Sequence, residues 1–360
     1  MTRMDPTDPF PEELGSLLES FQAGKKTALA HAISLIENER PGFQGFLHRV
    51  LVAGPRARRV GVTGPPGGGK SSLIAVLANL CRARKEEVGV VAVDPTSPYS
   101  GGALLGDRIR MNDLATDRGI FIRSMATRGS LGGLAATSKE VIDLMDAFGL
   151  ARLLIETVGV GQTELGIIGA VDTVVVVLVP ESGDGIQAMK AGLMEIADIF
   201  VVNKADRPGA DRVFGDLRAA LHLRAGKTLG DVPAHHGVDL AQVSKKADGG
   251  APPPAPDDPG HWTIPVLKTV AQTGEGVPEL LDAVDEHREY LDESGQLRIR
   301  QRGRAAVRIR EVTERSLRGI LWGGEVTEGI LDAGLDQIQQ GTATPYSVSA
   351  SILKALIAEE

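Results

Sequence analysis

A single cysteine, Cys81, in 360 residues leaves no internal disulfide and no Cys-x-x-Cys metal site. An excess of basic charge is also missing. With 47 acidic against 39 basic residues, a net charge of −8 and a pI near 5.5, bulk affinity for nucleic acid is not expected. Arg298, Arg300, Arg302, Arg304, Arg308 and Arg310 do cluster, but their spacing by two spreads them over different helix faces. They read as solvated surface or contacts for an acidic partner, not as a stripe tracking phosphates. The N-terminus has no basic-then-apolar signal segment. Val174-Val-Val-Val-Leu-Val179, the longest apolar run, falls far short of the roughly 20 residues needed to span a bilayer, and is expected as a buried strand. These absences predict a cytoplasmic protein without nucleic-acid or membrane partners.

What is present is concentrated in a few segments. Gly64-Pro-Pro-Gly-Gly-Gly-Lys-Ser-Ser72 contains G-x-x-x-x-G-K-S, set between the apolar run Arg59–Thr63 and the amphipathic stretch Ser72–Leu80. Strand, glycine loop and helix are the setting a phosphate-binding loop requires. Gly64, Gly67, Gly68 and Gly69 let backbone amides turn inward around phosphates, and the helix N-terminus adds partial positive charge. Lys70 is expected on the β- and γ-phosphates, and Ser71, with Ser72 beside it, offers a hydroxyl to Mg²⁺. The chain is expected to bind a nucleoside triphosphate.

The base is indicated further on. Ala197–Val202 reads as a strand, and Asn203-Lys-Ala-Asp206 follows it directly. Asp206 suits guanine because a carboxylate accepts from both the ring N1–H and the 2-amino group. Adenine offers neither, so a buried Asp206 would be left unpaired at considerable cost. The stem of Lys204 can lie along the base, and Asn203 can tie this loop to the phosphate-binding loop. A further run, Pro265–Ala271, ends in Thr269-Val270-Ala271, where GTPases place a small residue whose amide contacts the guanine O6; Ala271 fits.

Metal ligands follow the same logic. Leu153-Leu-Ile-Glu156 is a strand ending in an acid, followed by Thr157-Val-Gly159. Most GTPases carry D-x-x-G here, so Glu156 is expected near Mg²⁺ and the Gly159 amide near the γ-phosphate. Val88–Asp94 is another apolar strand ending in an acid. Asp94 and Asp107 complete an oxygen-rich set with Ser71 and Glu156, although Asp107 also suits the start of a helix. Val160 stands where many GTPases hold a water-orienting glutamine, and valine cannot hold a water. Slow intrinsic hydrolysis, accelerated by a partner or second subunit, is therefore expected. Asp94 and then Gln162 are candidates for positioning water, and Lys190 for stabilising phosphate charge, although a helix lysine is commonly only solvated.

Apolar runs near 59–63, 88–93, 120–122, 152–156, 173–179, 198–202 and 265–270 alternate with helical patterns. This predicts an α/β fold: a mainly parallel sheet covered on both faces, with nucleotide at the strands' carboxyl ends. Leu14, Leu17, Leu18, Phe21, Leu29, Ile33 and Ile36 have helical spacing and predict an N-terminal helical extension over 1–52. The nucleotide domain is expected over 53–290, and a C-terminal helical dimerisation region over 291–360. In the last, Thr344-Pro-Tyr-Ser reads as a cap with proline in the first turn, and Val312, Ile320, Val326, Ile330 and Leu335 need a surface to pack on. A proline-rich insertion at about 226–262 reads as a loop, and its His235-His236 pair is not expected to bind metal.

Assembled, these motifs resemble the MeaB/ArgK/MMAA GTPases, chaperones of adenosylcobalamin-dependent acyl-CoA mutases. The resemblance rests on Glu156–Glu164, Asp94–Gly102, Leu105–Met111, Arg123–Gly129, Leu131–Leu134, Asn203–Asp206 and Leu267–Gly276. It implies a homodimeric GTPase of the SIMIBI-type P-loop fold that binds GTP or GDP with Mg²⁺. Its partner would be a mutase such as methylmalonyl-CoA mutase, with hydrolysis coupled to cofactor loading and protection. It also implies a third switch segment over Pro180–Lys190. The consecutive Gly67, Gly68 and Gly69 and the 226–262 insertion depart from the family's pattern. None of the seven histidines lies in a D-x-H-x-x-G cobalamin-ligand motif, so any cobalamin is expected on the partner. A metallochaperone GTPase for nickel enzymes and a P-loop kinase or ATPase share the phosphate loop. The first normally needs a Cys/His site, and the second has no use for Asn203–Asp206.

Overall fold

A computed structural model describes residues 12–52, 54–94, 114–126, 136–157, 166–181, 192–226 and 262–358. The proline-rich insertion and His235-His236 lie outside these residues. The strands are β1 (Arg58–Thr63), β2 (Val88–Asp94), β3 (Ile120–Ala126), β4 (Arg152–Glu156), β5 (Thr173–Leu178), β6 (Ile199–Asn203) and β7 (Val266–Thr269). They form one parallel sheet in the order β3-β2-β4-β1-β5-β6-β7. The unbroken apolar runs are explained by burial on both faces: in β5, Val174, Val176 and Leu178 enter one core, and Val175 and Val177 enter the other.

One face is covered by α4 (Lys70–Ala83), through Leu73, Ile74 and Leu77, and by a helix over Val277–Glu293, through Leu280, Leu281 and Val284. The opposite face carries α1 (Glu12–Gln22), α2 (Lys26–Glu37), α3 (Phe43–Leu51), α5 (Ala136–Phe148), the short α6 (Leu193–Ile196) and α7 (Ala210–Gly226). The N-terminal helices belong to this same core. Phe21 meets the ring edges of Phe46 and Phe148 at 5.7 and 5.1 Å, and Leu29, Ile33 and Ile36 are fully buried. Each such side chain contributes about 1.5–3 kcal/mol on burial, which fastens α1–α3 to the sheet.

The helix over Val277–Glu293 is α8; α9 (Gln296–Trp322), α10 (Glu325–Gln339) and α11 (Pro345–Ala358) follow it. The chain forms two compact units, one holding residues 10–300 and the other residues 301–360. In the second, a methyl group on Gly334 would lie 2.4 Å from Val348 Cγ1, so α10 and α11 cross closely only because that position is glycine. Thr344 caps α11 reciprocally. The Ser347 amide donates to Thr344 Oγ1 (3.2 Å) and the Thr344 amide to Ser347 Oγ (3.0 Å), with Pro345 at the helix start. Val312, Ile320, Val326 and Leu335 are exposed. Among the described residues, no helix is long and apolar enough to cross a membrane.

The amino-terminal edge of the sheet is ion-paired. Arg59 binds Asp143 and Asp146, and Arg152, fully buried, binds Glu86 and Asp285. Asp198, just before β6, accepts from the Val174 amide (2.8 Å) and from both Arg300 nitrogens (3.0 and 2.8 Å). His287 Nε2 lies 3.3 Å from Asp198 Oδ1, and its Nδ1 lies 2.8 Å from Thr173 Oγ1. Arg300 therefore departs from the solvated role expected for the arginine cluster: a helical turn carries it back onto a carboxylate distant in sequence.

Burial, the largest influence on Asp198, pushes its carboxyl up. Hydrogen bonds and positive charge from His287 and Arg300 more than offset this and hold it below the ordinary value. Between the folded and unfolded values, the unfolded chain binds more protons. The stabilisation is thus complete above about pH 4 and lost as pH falls through the folded value. Asp198→Asn, which takes the charge from a buried acid paired with the part-exposed Arg300, is expected to cost about 1–3 kcal/mol at neutral pH. Urea denaturation as a function of pH checks this: the variant should also lose less stability than the wild type on acidification below about pH 4.

Candidate functional site

At the other end of the sheet, the expected motifs converge. β1 lies between β4 and β5 in the sheet, while the chain leaving it crosses to β2 beyond β4. In doubly wound sheets such a switch point is where a ligand crevice forms, at the carboxyl ends of the strands, and the glycine loop after β1 lies at this end.

Two glycines of this loop are required by contact and by torsion. Gly64 has φ 132°, and a methyl group there would lie 2.1 Å from the Val177 carbonyl oxygen of β5. Gly69, the residue before α4, has φ 80°, and its methyl group would lie 2.5 Å from Asn203 Nδ2. A side chain at either position would push the loop off its neighbours. The loop reaches α4 at Lys70, which is buried and whose ammonium donates to the carbonyls of Gly64 (2.8 Å) and Pro65 (3.1 Å). A lysine cation is thereby held over a loop whose geometry suits an anion. Gly67 has φ 75°, and Gly68 accepts from Asn203. Ser72 is half-buried in the first turn of α4.

Ser71 and Glu156 are brought together. Both are buried, and Ser71 Oγ donates to Glu156 Oε1 at 2.9 Å across the β1–β4 pair. A hydroxyl and a carboxylate in contact at the start of α4 are hard oxygen donors of the kind Mg²⁺ takes. Asp94 ends β2, two residues beyond the Ala92 that pairs with Glu156. Asp107, Gly159, Gln162 and Lys190 lie outside the described residues.

The Asn203–Asp206 segment is joined directly to the glycine loop. Asn203 is buried, and its Nδ2 donates to the Gly68 carbonyl at 2.8 Å. Its Oδ1 accepts from Thr269 Oγ1 and from the Ala271 amide, both at 3.1 Å. The Ala271 amide, expected on a guanine carbonyl, is therefore held by Asn203 in this structure, and reaching O6 means sharing or exchanging that donor. Val270 donates its amide to the Glu275 carbonyl (2.9 Å), which shapes the turn after β7. Lys204 is half-buried with φ 57°, a left-handed conformation uncommon for a residue with a side chain. Asp206 is exposed.

Other contacts were not foreseen. Thr157 Oγ1 donates to Thr63 Oγ1 at 2.9 Å, joining the ends of β4 and β1 below the loop. Its only signal in sequence is a polar residue closing each apolar strand. Glu181, just past β5, pairs with Arg207 and lies 3.8 Å from Lys204 Nζ. No local pattern connects residues so far apart.

The sequence profile of the family described as Methylmalonyl Co-A mutase-associated GTPase MeaB matches residues 29–325. A Pyrococcus abyssi protein named as a GTPase is 41% identical over 349 residues, covering 96% of this chain and 97% of its own. The mouse protein named Methylmalonic aciduria type A homolog, mitochondrial, is 34% identical over 288 residues, covering 76% of this chain and 63% of its own. The crystal structure of a LAO/AO transport system kinase superposes with a TM-score of 0.64 at 24% identity, covering 97% of this chain and 99% of that one, a likeness of fold.

Asn203→Ala removes three bonds from a buried cluster. It is expected to cost about 1–3 kcal/mol of stability by urea denaturation, because the Gly68 carbonyl and the Ala271 amide lose their partner.

Proposed function

Because the chain belongs to the MeaB family of methylmalonyl-CoA mutase-associated GTPases, we propose that it binds GTP with Mg²⁺ in this crevice and serves an adenosylcobalamin-dependent acyl-CoA mutase, methylmalonyl-CoA mutase being the foremost client. In this reading, GTP hydrolysis is coupled to loading and protecting the mutase's cofactor. The chain is a P-loop NTPase of a GTP-hydrolysing family. One observation supports guanine most directly: the bond from Asn203 to the Gly68 carbonyl, which sets Lys204 and Asp206 at a fixed reach from the phosphate loop. A P-loop kinase or ATPase has no use for that connection.

The residues fit the nucleotide and its metal. Gly64 and Gly69 let the loop lie against Val177 and Asn203, where any side chain would clash, and Lys70 stands over the loop. Ser71 and Glu156 would hold Mg²⁺, joined by Asp94 and Asp107, and the ion would neutralise charge on the β- and γ-phosphates. In this reading Gly67, Gly68, Ser72 and the Gly159 amide contact phosphates. Lys204, Asp206 and the Thr269–Ala271 turn contact the base. Lys70 stabilises charge on the phosphates, Asp94 and Gln162 orient water, and Lys190 assists. Valine at 160 keeps intrinsic hydrolysis slow.

The exposed apolar residues of α9 and α10 suit a homodimer contact. The nickel-maturation alternative is disfavoured by Cys81: it is buried, and burial pushes its thiol up to about 11, which makes it a poor metal ligand. That thiol suits a reducing, cytoplasmic setting.

Three measurements test the reading. Lys70→Ala should lower Mg²⁺-dependent phosphate release from GTP at least about 100-fold, as removal of a donor to transition-state charge does. ADP at equal concentration should fail to displace bound GDP; displacement would overturn the guanine assignment. Affinity capture from the source lysate, with protein loaded with a non-hydrolysable GTP analogue and a GDP control, should recover a cobalamin-dependent mutase. Recovery of a nickel enzyme in its place would overturn the client assignment.

A further inference from the structure

Lys204 carries its left-handed backbone in a loop fastened on both sides. Ala205 donates its amide to the Thr269 carbonyl (3.0 Å), and Arg207 donates its own to the Lys204 carbonyl (3.0 Å). Left-handed torsions outside glycine cost energy and persist where the surroundings enforce them, often at ligand clamps. The backbone is thus placed, but a lysine stem with four rotatable carbons is not placed by its backbone alone.

Glu181 supplies the missing constraint. It leaves β5 two residues past the buried Val179 and turns its carboxylate toward the β6–α7 loop. One oxygen pairs with Arg207 Nη1, and the other lies 3.8 Å from Lys204 Nζ. The hydrogen bond from Arg207, then its charge and that of Lys204, hold the Glu181 carboxyl below the ordinary value, so it stays ionised at neutral pH. Arg207 anchors the carboxylate, and the carboxylate then holds the end of the lysine.

We infer that Glu181 is a positioning residue for guanine recognition, orienting the Lys204 side chain along the face of the base from the neighbouring strand end. This rests on the guanine reading above and deepens it: the specificity element extends past Asn203–Asp206 to an acid outside that motif. Glu181 would touch neither base nor phosphate. Its effect passes entirely through Lys204.

The sign of the effect separates this role from general electrostatics. Removing a negative charge near an anionic nucleotide should tighten binding if only the field matters, whereas loss of a positioned lysine should weaken it. The test is the affinity for a fluorescent GDP analogue of the full-length wild type, Glu181→Gln, Lys204→Ala and the double variant. Glu181→Gln is expected to bind about two- to fivefold more weakly, the range of one exposed ion pair, and to lose this deficit in high salt. In the Lys204→Ala background, Glu181→Gln should change nothing further. Unchanged or tighter binding by Glu181→Gln, or an equal loss in both backgrounds, would overturn the inference while leaving the guanine reading intact. Failure of the wild type to bind guanine nucleotide would overturn that reading itself, and the role of Glu181 with it.

Discussion

The carboxamide of Asn203 donates to the Gly68 carbonyl and accepts from Thr269 and Ala271, so one buried side chain joins the loops that follow β1, β6 and β7. Each of those loops carries a different part of nucleotide recognition in the proposed reading. Their relative placement is therefore set by three short bonds in a site closed to water, where a hydrogen bond is electrostatically stronger and an unmade one costly. Gly69 is obligatory for the same reason: the room a side chain would take is occupied by Asn203 itself. The phosphate loop is thus built around an asparagine some 130 residues away in the chain.

The two ends of the sheet are made differently. At the amino-terminal edge, Arg59, Arg152 and Arg300 meet Asp143, Asp146, Glu86, Asp285 and Asp198 in a dense ionic layer. Such pairs gain little net stability over an apolar core but resist removal of either partner. At the carboxyl end, loops rich in glycine leave backbone groups available to a ligand. The layer holds the strands in register from below. Parallel β-architecture makes this division natural, since every strand in the sheet points its carboxyl end the same way.

Catalytic economy follows from the same arrangement. Lys70, Ser71 and Glu156 are buried, Lys70 held by the loop carbonyls and Ser71 by Glu156, so the charge-bearing part of the site is ordered by the fold. The residue after Gly159 is valine, so the part that would place an attacking water is not supplied by the usual side chain. A nucleotide site with a rigid floor and an incomplete water-orienting element suits a protein whose hydrolysis answers to a partner, which is the behaviour proposed here.

Much of this was legible in the chain. The phosphate loop declares itself because glycine, lysine and serine must stand at fixed offsets between a strand and a helix. Asn203–Asp206 declares itself because it directly follows an apolar run. The parallel sheet is readable because strands covered on both faces cannot alternate polar with apolar residues. Local pattern carried those conclusions. It could not carry the partners of Arg300 or Glu181, whose contacts lie 102 and 26 residues away. Nor could it tell that Asp206 is exposed or that the Ala271 amide is held by Asn203. Those depend on which strand ends become neighbours, and sheet order is a property of the packed chain. The sequence by itself determined the chemistry available and the alternation of elements, because both are written in short-range residue spacing; tertiary structure alone decided which charges pair and which donors are already engaged, because burial and proximity arise only when distant segments pack together.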